Sequence, residues 1–561
     1  MVDRKDPEFL SFTDNEDINR LLNTVVSSVK DFTESQLEAI RRLTQIGSSL
    51  SAERNINRLL ETIVDEARRF TNADGGTLYI VDDDERFLNF AIVQNDSLNI
   101  RMGGSAEAIT WLPVPLHDRE GVPNHANVSS HAALTGQIIN IADVYYAEHF
   151  DFEGTRKFDS TTGYRSRSML VVPMRNHESD IIGVLQLLNA RDGTNESVIS
   201  FSRDSEKLTE SLASQAAIAL TNNRLIADLE NLFESFIKTV ATAIDEKSPY
   251  TGNHGRRVVD LTMSLARKIN ECNEGPLKDV HLNNDELNEL RIAAWLHDVG
   301  KIAIPEYVMD KSTKLEALCD RIEILKTRFE VIKRDREIAY LKSHPLPANP
   351  TGGDTEAGEF ENEIEKLQED IAFLEESNIG SEFMSDDKIE KIREIANMTW
   401  TYQDSEQHLI SDEEVENLCI RRGTLTEAER KTINSHADLT HEILSQLPFP
   451  KKLKNVPIYA SAHHECLDGS GYPHGLKDKE IPIQARIMAI ADIFEALTAA
   501  DRPYRKGNTV SGAIKILGFM VKDNHLDKDL FDLFIKEKIY LDYARRELEA
   551  WQIDEDEGAR T

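Results

Sequence analysis

The sequence predicts a multidomain protein: an α+β domain between helices, a coiled-coil type of linker helix, and a long C-terminal region with an antiparallel helical hairpin inserted in it. Three observations predict this. Apolar residues pass from helical spacing to β-rich runs and back to helical spacing once before residue 225. Leu225, Leu229, Leu232 and Phe236 then follow a 4-3-4 spacing, which suits a coiled-coil seam. Farther on, two arms of alternating four- and three-residue apolar steps flank a Pro/Gly-rich turn.

In chain order, residues 15 to about 70 read as helix. Ile18, Leu21, Leu22, Val25, Val29 and Phe32 recur at helical spacing, and Leu37, Ile40, Leu43 and Ile46 continue it as a stripe facing a core. From residue 76 the runs GTLYIVDDD and RFLNFAIVQND flank Asp84-Glu85, which is a hairpin signal. After a variable Gly- and His-containing stretch come two more β-rich runs, SRSMLVVPM (166–174) and DIIGVLQLLNA (180–190), and residues 204–247 return to helix. The expected organisation is a helical dimerisation region at 1–49, an α+β domain at 50–224, a linker helix at 225–245, a large domain at 246–550 with an insertion at about 312–420, and an acidic tail at 551–561. The seam predicts a parallel homodimer; a packed intramolecular helix is the other reading of so short a pattern.

The 561 residues hold 65 Lys and Arg against 99 Asp and Glu, a formal charge of −34. So large an acid excess repels nucleic-acid polymers and anionic membrane surfaces, which need clustered cations. The four cysteines form no CxxC pair, and no run approaches the ~18 apolar residues of a membrane span. Without an apolar signal core at the start, a cytoplasmic location is expected. Charge is uneven within the insertion: residues 311–342 carry a net +3 and residues 354–416 a net −17. That surplus is a solvated face, or a docking arm or lid.

The segment from about 50 to 224 resembles a GAF domain, most recognisably in FDSTTGYRSRSMLVVPM and GVLQLLNA. Its FD..TGYR.RSML piece is similar to the ligand-binding GAF modules of cyclic-nucleotide phosphodiesterases. The resemblance implies a small-ligand pocket, such as one for a cyclic nucleotide, with Phe158, Asp159, Thr162 and Tyr164 as wall candidates.

Between 246 and 506 the potential ligands fall in the order His254, His297-Asp298, His436, His463-His464, Asp492. Imidazole and carboxylate together suit divalent iron, manganese or zinc. SPYTGNHGRRV, AAWLHDVGKIAIP, NSHADLTHEIL, HHECLDGSGYPHGL and IMAIADIFEALTAADRPYR resemble, in that order, the signatures of the HD-GYP family of metal-dependent phosphodiesterases. The resemblance implies an all-α domain with one metal on His254, His297, Asp298 and Asp492, and a second on Asp298, His436, His463 and His464. Iron or manganese is expected first, and zinc, nickel or cobalt suit the same donors. A third ion is disfavoured, because Tyr250 stands where some members place a Glu and Asp245 and Glu246 lie two turns back.

The same resemblance implies Asp298 and Lys301 as catalytic residues, with Lys301, one turn beyond Asp298, contacting the scissile phosphate. Arg502, Arg505 and Lys506, in RPYRK, are expected to bind the substrate phosphates alongside Lys301. The loop Asp468, Gly469, Gly471, Tyr472, Pro473 shapes the site and, by resemblance, contacts diguanylate-cyclase partners. The implied reaction is two-metal hydrolysis of cyclic di-GMP to pGpG, and onward to GMP, under GAF control. Another cyclic dinucleotide as substrate, or a weakly catalytic scaffold, are the rival readings. In the usual pattern RRGTLTEAERKTINSH follows HDVGKIAIP closely, so the roughly hundred intervening residues are an insertion.

Overall fold

A computed structural model describes residues 13, 15–193, 197–247, 252–343, 355–380, 383–403, 405–499 and 507–554. The chain forms two compact units, Met1–Leu232 and Phe233–Thr561. Arg502, Arg505, Lys506, Tyr250, the turn PLPANPTGGD and the end of the acidic tail lie outside the described residues.

The first unit opens with helices α1 (Glu16–Ala52) and α2 (Ile56–Thr71). The single helix expected over 15–70 is broken at 53–55. There Asn55 is extended and its side chain accepts the Asn57 and Arg58 amides, an N-cap that starts a new helix. Next come β1 (Ala73–Val81), β2 (Phe87–Asn95), β3 (Ile100–Gly103), β4 (Val114–Pro115), α3 (Val128–Thr135), β5 (Ile139–Ile141), α4 (Glu153–Thr162), β6 (Met169–Arg175), β7 (Ile181–Arg191) and β8 (Val198–Ile199). The strands form one antiparallel sheet ordered β3-β2-β1-β7-β6-β5, with β4 on β2 and β8 on β7. Both expected strand pairs are present, β1 with β2 and β6 with β7.

Helix α5 (Arg203–Asp245) closes this unit and contributes its last turns to the second. One sheet face packs on α2 and α5 through Ile63, Leu185, Leu187, Leu212, Ala213 and Ala216, where the alanines let the helix lie close. The other face is covered by α3 and the long excursion through Leu88, Val128, Phe152 and Val171. The apolar stripe of α1 does not face a core as expected. Leu21, Val25, Val29, Phe32 and Ile40 are exposed, and only the last turns, at Ile46 and Leu50, are buried. Leu225, Leu229, Leu232 and Phe236 of α5 are exposed as well.

The second unit is largely helical: α6 (His254–Glu271), α7 (Asn284–Leu296), a 3-10 turn over Val299–Ala303, and the short α8 (Glu306–Met309). The insertion follows, with α9 (Ile322–Ser343), α10 (Thr355–Asn378), α11 (Asp386–Ala396), the two-stranded β9 (Thr399–Tyr402) and β10 (Ser405–His408), and α12 (Asp412–Leu418). Beyond it lie α13 (Glu427–Asn434), α14 (His436–Ser445), α15 (Val456–Ser461), a 3-10 turn at Ala462–His464, α16 (Ile483–Thr498), α17 (Val510–Lys522), α18 (Lys528–Lys536) and α19 (Ile539–Glu547). Helix α16 is apolar nearly all round, with Ile487, Met488, Ile490 and Phe494 buried. Such a helix belongs at the centre of a core, and α16 packs there on α6, α17 and α18. Among the described residues no helix is long and apolar enough to cross a membrane.

The insertion contains the expected hairpin, α9 against α10, but it is more than a hairpin. Leu325, Phe329 and Ile332 of α9 and Leu367 and Leu374 of α10 share a core with Ile389, Ile392, Leu409 and Leu418. Leu318, which its spacing of four residues before Ile322 places in the first arm, is instead almost fully exposed and precedes α9. At the base, the Lys311 ammonium donates to Asn417 and Glu429, and the Leu315 amide donates to Asn378. This core is separate from the one around α16. Leu374→Ala is therefore expected to remove about 2–5 kcal/mol of local stability. Hydrogen exchange should rise across α9–α12 while the β1–β7 sheet keeps its protection.

Candidate metal centre

Five elements converge on one point of the second unit. His254 opens α6, His297 and Asp298 follow α7, His436 opens α14, His463 and His464 close the 3-10 turn after α15, and Asp492 lies in the middle of α16. All are buried except His464, which is partly so. Asp298 is central. Its Oδ2 lies 3.4 Å from His254 Nε2 and 3.3 Å from His297 Nε2, while its Oδ1 lies 3.5 Å from His436 Nε2. Asp492 Oδ1 stands 3.3 Å from His254 Nε2 and 3.8 Å from His297 Nε2.

The imidazoles are aimed by the backbone. Nδ1 of His297, His436 and His463 lies 2.8, 2.6 and 2.6 Å from the carbonyl three residues earlier, at Ala294, Ile433 and Ala460. A nitrogen bonded to a carbonyl must carry the proton, which leaves Nε2 as the lone-pair nitrogen facing inward. His254 is held differently, by Glu495 Oε2 at 2.6 Å from Nδ1, and Glu495 is fixed in turn by the Arg257 guanidinium at 2.6 Å.

The inward-facing atoms fit a metal. Nε2 of His297, His436 and His463 and Oδ1 of Asp298 are buried without a hydrogen-bond partner, a costly arrangement unless a cation is held among them. Three groups of donor atoms, each mutually within 4.8 Å, meet the geometry of a metal site: His436, His463 and His464; His254, His297 and Asp492; and His297, Asp298 and His463. Protonation favours binding in one group. Burial holds His436 below its ordinary value, His463 well below it, and His464 down to about 4, so all three are neutral ligands at neutral pH. Burial also opposes the charged form of His254, but the Glu495 charge and hydrogen bonds to Asp298, Asp492 and Glu495 raise it well above its usual value. Binding there must release a proton.

Close backbone approach builds the site. A Cβ on Gly300 would lie 2.0 Å from the His436 carbonyl oxygen, and one on Gly471 would lie 2.3 Å from the Cys466 amide nitrogen. Thr440 ties α14 to the His-Asp turn: its hydroxyl donates to the His297 carbonyl and accepts from the Gly300 amide, both at 3.0 Å. Buried Glu289 accepts from the Asn455 amide at 2.7 Å and so positions the start of α15. Buried Glu465 accepts from the His474 and Leu476 amides and holds the glycine-rich loop. That loop brings the Tyr472 ring to 4.8 Å from His464, beside the centre. Asp468 is exposed and accepts from the Ser470 amide, and Gly469 has a positive φ of 84°. Pro473 follows Tyr472 through a cis peptide bond.

Lys301 lies on a 3-10 turn, with its ammonium 2.5 Å from Asp298 Oδ2. Asp245, set aside from its sequence distance, does approach the centre, accepting the Gly255 amide at 3.2 Å beside His254. Glu495, Arg257, Thr440 and Glu289 escaped sequence reasoning. The one visible signal was Glu495, an acid one turn after Asp492 in an otherwise apolar stretch.

In the first unit a cavity of about 300 Å³ is lined by Tyr79, Phe90, Trp111, Phe158, Gln94 and Gln186 among others. Of the four wall candidates, Phe158 lines it. Asp159 instead accepts from the Tyr145 hydroxyl and the Ser166 amide, Thr162 donates to the Phe158 carbonyl, and the Tyr164 hydroxyl donates to Asp74. These three brace the loop that precedes β6.

Comparison with known proteins agrees with both units. Residues 55–220 match the family model for the GAF domain, and residues 251–372 and 412–530 match two models for the HD domain. The chain carries a GAF domain followed by an HD domain. The chain is 45% identical over 96 residues to 3'3'-cGAMP-specific phosphodiesterase 3 of Vibrio cholerae, covering 17% of this chain and 20% of that protein. It is 38% identical over 102 residues to the cyclic di-GMP phosphodiesterase response regulator RpfG of Xanthomonas campestris, covering 18% and 26%. It is 34% identical over 133 residues to the cyclic di-GMP phosphodiesterase of Thermotoga maritima, covering 24% and 35%. The chain thus spans between a fifth and about a third of these relatives. Its His/Asp clusters fit the metal-dependent hydrolases to which HD domains belong.

Two outcomes follow from the HD geometry. Gly300→Ala is expected to destabilise the domain by about 1–3 kcal/mol through overpacking against α14 and to lower metal content, read by calorimetry and elemental analysis. Because the pKa of His464 is depressed to about 4, protons compete weakly above that value. Metal at the His436–His463–His464 group should survive dialysis at pH 6 and be lost progressively below about pH 5.

Proposed function

We propose that this protein is a cyclic dinucleotide phosphodiesterase, with cyclic di-GMP as substrate and pGpG as first product, regulated by its GAF domain. One observation carries the reading: the two oxygens of Asp298 face two different histidine sets. A bridging carboxylate flanked by separate donor sets is what a pair of divalent ions requires. His254, His297, Asp298 and Asp492 would hold one ion, and Asp298, His436, His463 and His464 the other, with iron or manganese favoured by the donor set. When bound, such a pair supplies Lewis acidity and a water nucleophile at neutral pH.

The chain's own residues do the rest. The Lys301 ammonium, beside Asp298, faces the position of the attacked phosphate and stabilises charge developing there. The Tyr472 ring walls the His436–His464 side of the site. Arg502, Arg505 and Lys506 are the further phosphate-binding candidates. The cavity bearing Phe158 is the proposed sensor pocket, for a cyclic nucleotide or another small ligand. The exposed stripes of α1 and α5 support a parallel homodimer, and the glycine-rich loop is the surface proposed for a diguanylate-cyclase partner.

A second reading is favoured by a separate finding: two of the relatives, at 45% and 38% identity, are named 3'3'-cGAMP-specific. Protein loaded anaerobically with iron or with manganese, offered each cyclic dinucleotide and analysed by product chromatography, should linearise cyclic di-GMP fastest. His297→Ala and Asp298→Ala should lower turnover by at least about a thousandfold. Preference for 3'3'-cGAMP would transfer the assignment to the second reading, and metal-replete protein inert towards every dinucleotide would sink both.

A further inference from the structure

The last turn of α5 ends beside the proposed phosphate-contacting lysine. Just beyond it, the Lys247 ammonium donates to three backbone carbonyls at once: Lys301 at 3.0 Å, Ile302 at 2.6 Å and Ile304 at 2.6 Å. An ammonium has three protons, so these bonds account for its full donor capacity. Lys247 is consequently not built to touch substrate.

The turn it grips is poorly supported by itself. It is a 3-10 segment of five residues, Val299–Ala303, a geometry with inferior hydrogen bonds that rarely persists alone. Its ends are closed by the Lys301 N–H bond to the Asp298 carbonyl and the Ile304 N–H bond to the Lys301 carbonyl. Ile302 is exposed, so packing holds only the Gly300 and Ile304 ends. The carbonyls at the end of such a turn carry partial negative charge, which a cation neutralises. The same carbonyls set the direction in which the Lys301 side chain leaves the backbone towards Asp298.

We infer that Lys247 is a positioning residue: by clamping the 301, 302 and 304 carbonyls it fixes the Lys301 ammonium beside Asp298, tying the end of α5 to the catalytic turn. The inference rests on the phosphodiesterase reading for the role of Lys301, but the clamp itself is independent of substrate. A second contact from the same region, the Asp245 carboxylate on the Gly255 amide, tethers the start of α6 beside His254. The end of α5 therefore touches both the turn bearing Lys301 and the helix bearing His254. Lys247 follows directly on α5, the helix that begins in the first unit.

The test is a double-mutant cycle on the full-length, manganese-loaded protein, using Lys247→Met, which keeps the aliphatic stem, with Lys301→Ala and the pair. Turnover is measured on cyclic di-GMP and on bis(p-nitrophenyl) phosphate as a generic diester, together with metal content and hydrogen exchange of residues 299–304. Lys247→Met is expected to lower kcat at least tenfold with KM changed less than threefold, to leave metal content intact and to speed exchange in the turn. Its effect should vanish in the Lys301→Ala background, and Lys247→Arg should recover part of kcat. An equal loss in both backgrounds, or unchanged exchange at 299–304, overturns the inference. Failure on cyclic di-GMP with the generic diester still cleaved overturns the substrate reading while the cycle on the generic diester still judges the clamp. If neither diester is cleaved, the exchange of residues 299–304 decides it.

Discussion

Asp298 is the residue on which the rest of the second unit depends. A carboxylate taken out of water loses several kcal/mol of solvation unless opposite charge and hydrogen bonds replace it. Here the Lys301 ammonium supplies charge and His254 a hydrogen bond, and the carboxyl stays ionised, well below the usual range, against the pull of burial. The same partners divide its two oxygens between separate imidazole sets. Satisfying one buried charge and dividing a site into two halves are one arrangement.

That arrangement demands that helices distant in sequence come very close. Gly300 and Gly471 are the positions where it would fail sterically, since any side chain would run into backbone. His254, His297, His436 and His463 are rigid because their outer nitrogens are committed to backbone carbonyls or to Glu495, so their inner nitrogens converge without needing the metal to orient them. Thr440, Glu289 and Glu465 extend the same logic outward, each using a buried polar group to fix a helix, a helix start or a loop beside the centre.

Charge is arranged on a larger scale as well. Half of the net −34 falls within residues 354–416 of the insertion, a subdomain with a core of its own. The proposed substrate is a small anion, and the groups proposed to meet it are local: Lys301, the cation-binding donors and, from the sequence alone, Arg502, Arg505 and Lys506. Overall acidity thus excludes long polyanions without opposing a dinucleotide.

Much of this was legible in the residues. The ligand set is visible because each His or Asp sits in a recognisable local context, and the strand pairs and the α9–α10 hairpin because their apolar periods are regular. The supporting shell was not legible. Glu495 acts across 241 residues on His254, Arg257 across 238 on Glu495 and Thr440 across 140 on Gly300, and apart from the acid of Glu495 in an apolar stretch nothing local distinguishes them from ordinary helix residues. The α1 stripe shows the same limit in reverse: its period predicts an apolar face but not what covers it. The resemblance of FD..TGYR.RSML to ligand-binding GAF modules implies Asp159, Thr162 and Tyr164 as pocket walls, yet all three make hydrogen bonds that brace the loop. By itself the sequence determined which chemistry the chain can support, because donor type and local spacing are one-dimensional properties. Only the tertiary structure decided that Asp298 stands between two donor sets, that Asp245 approaches His254 and Lys247 grips the turn bearing Lys301, and that the insertion is a folded subdomain, because each depends on distances between segments that sequence spacing does not contain.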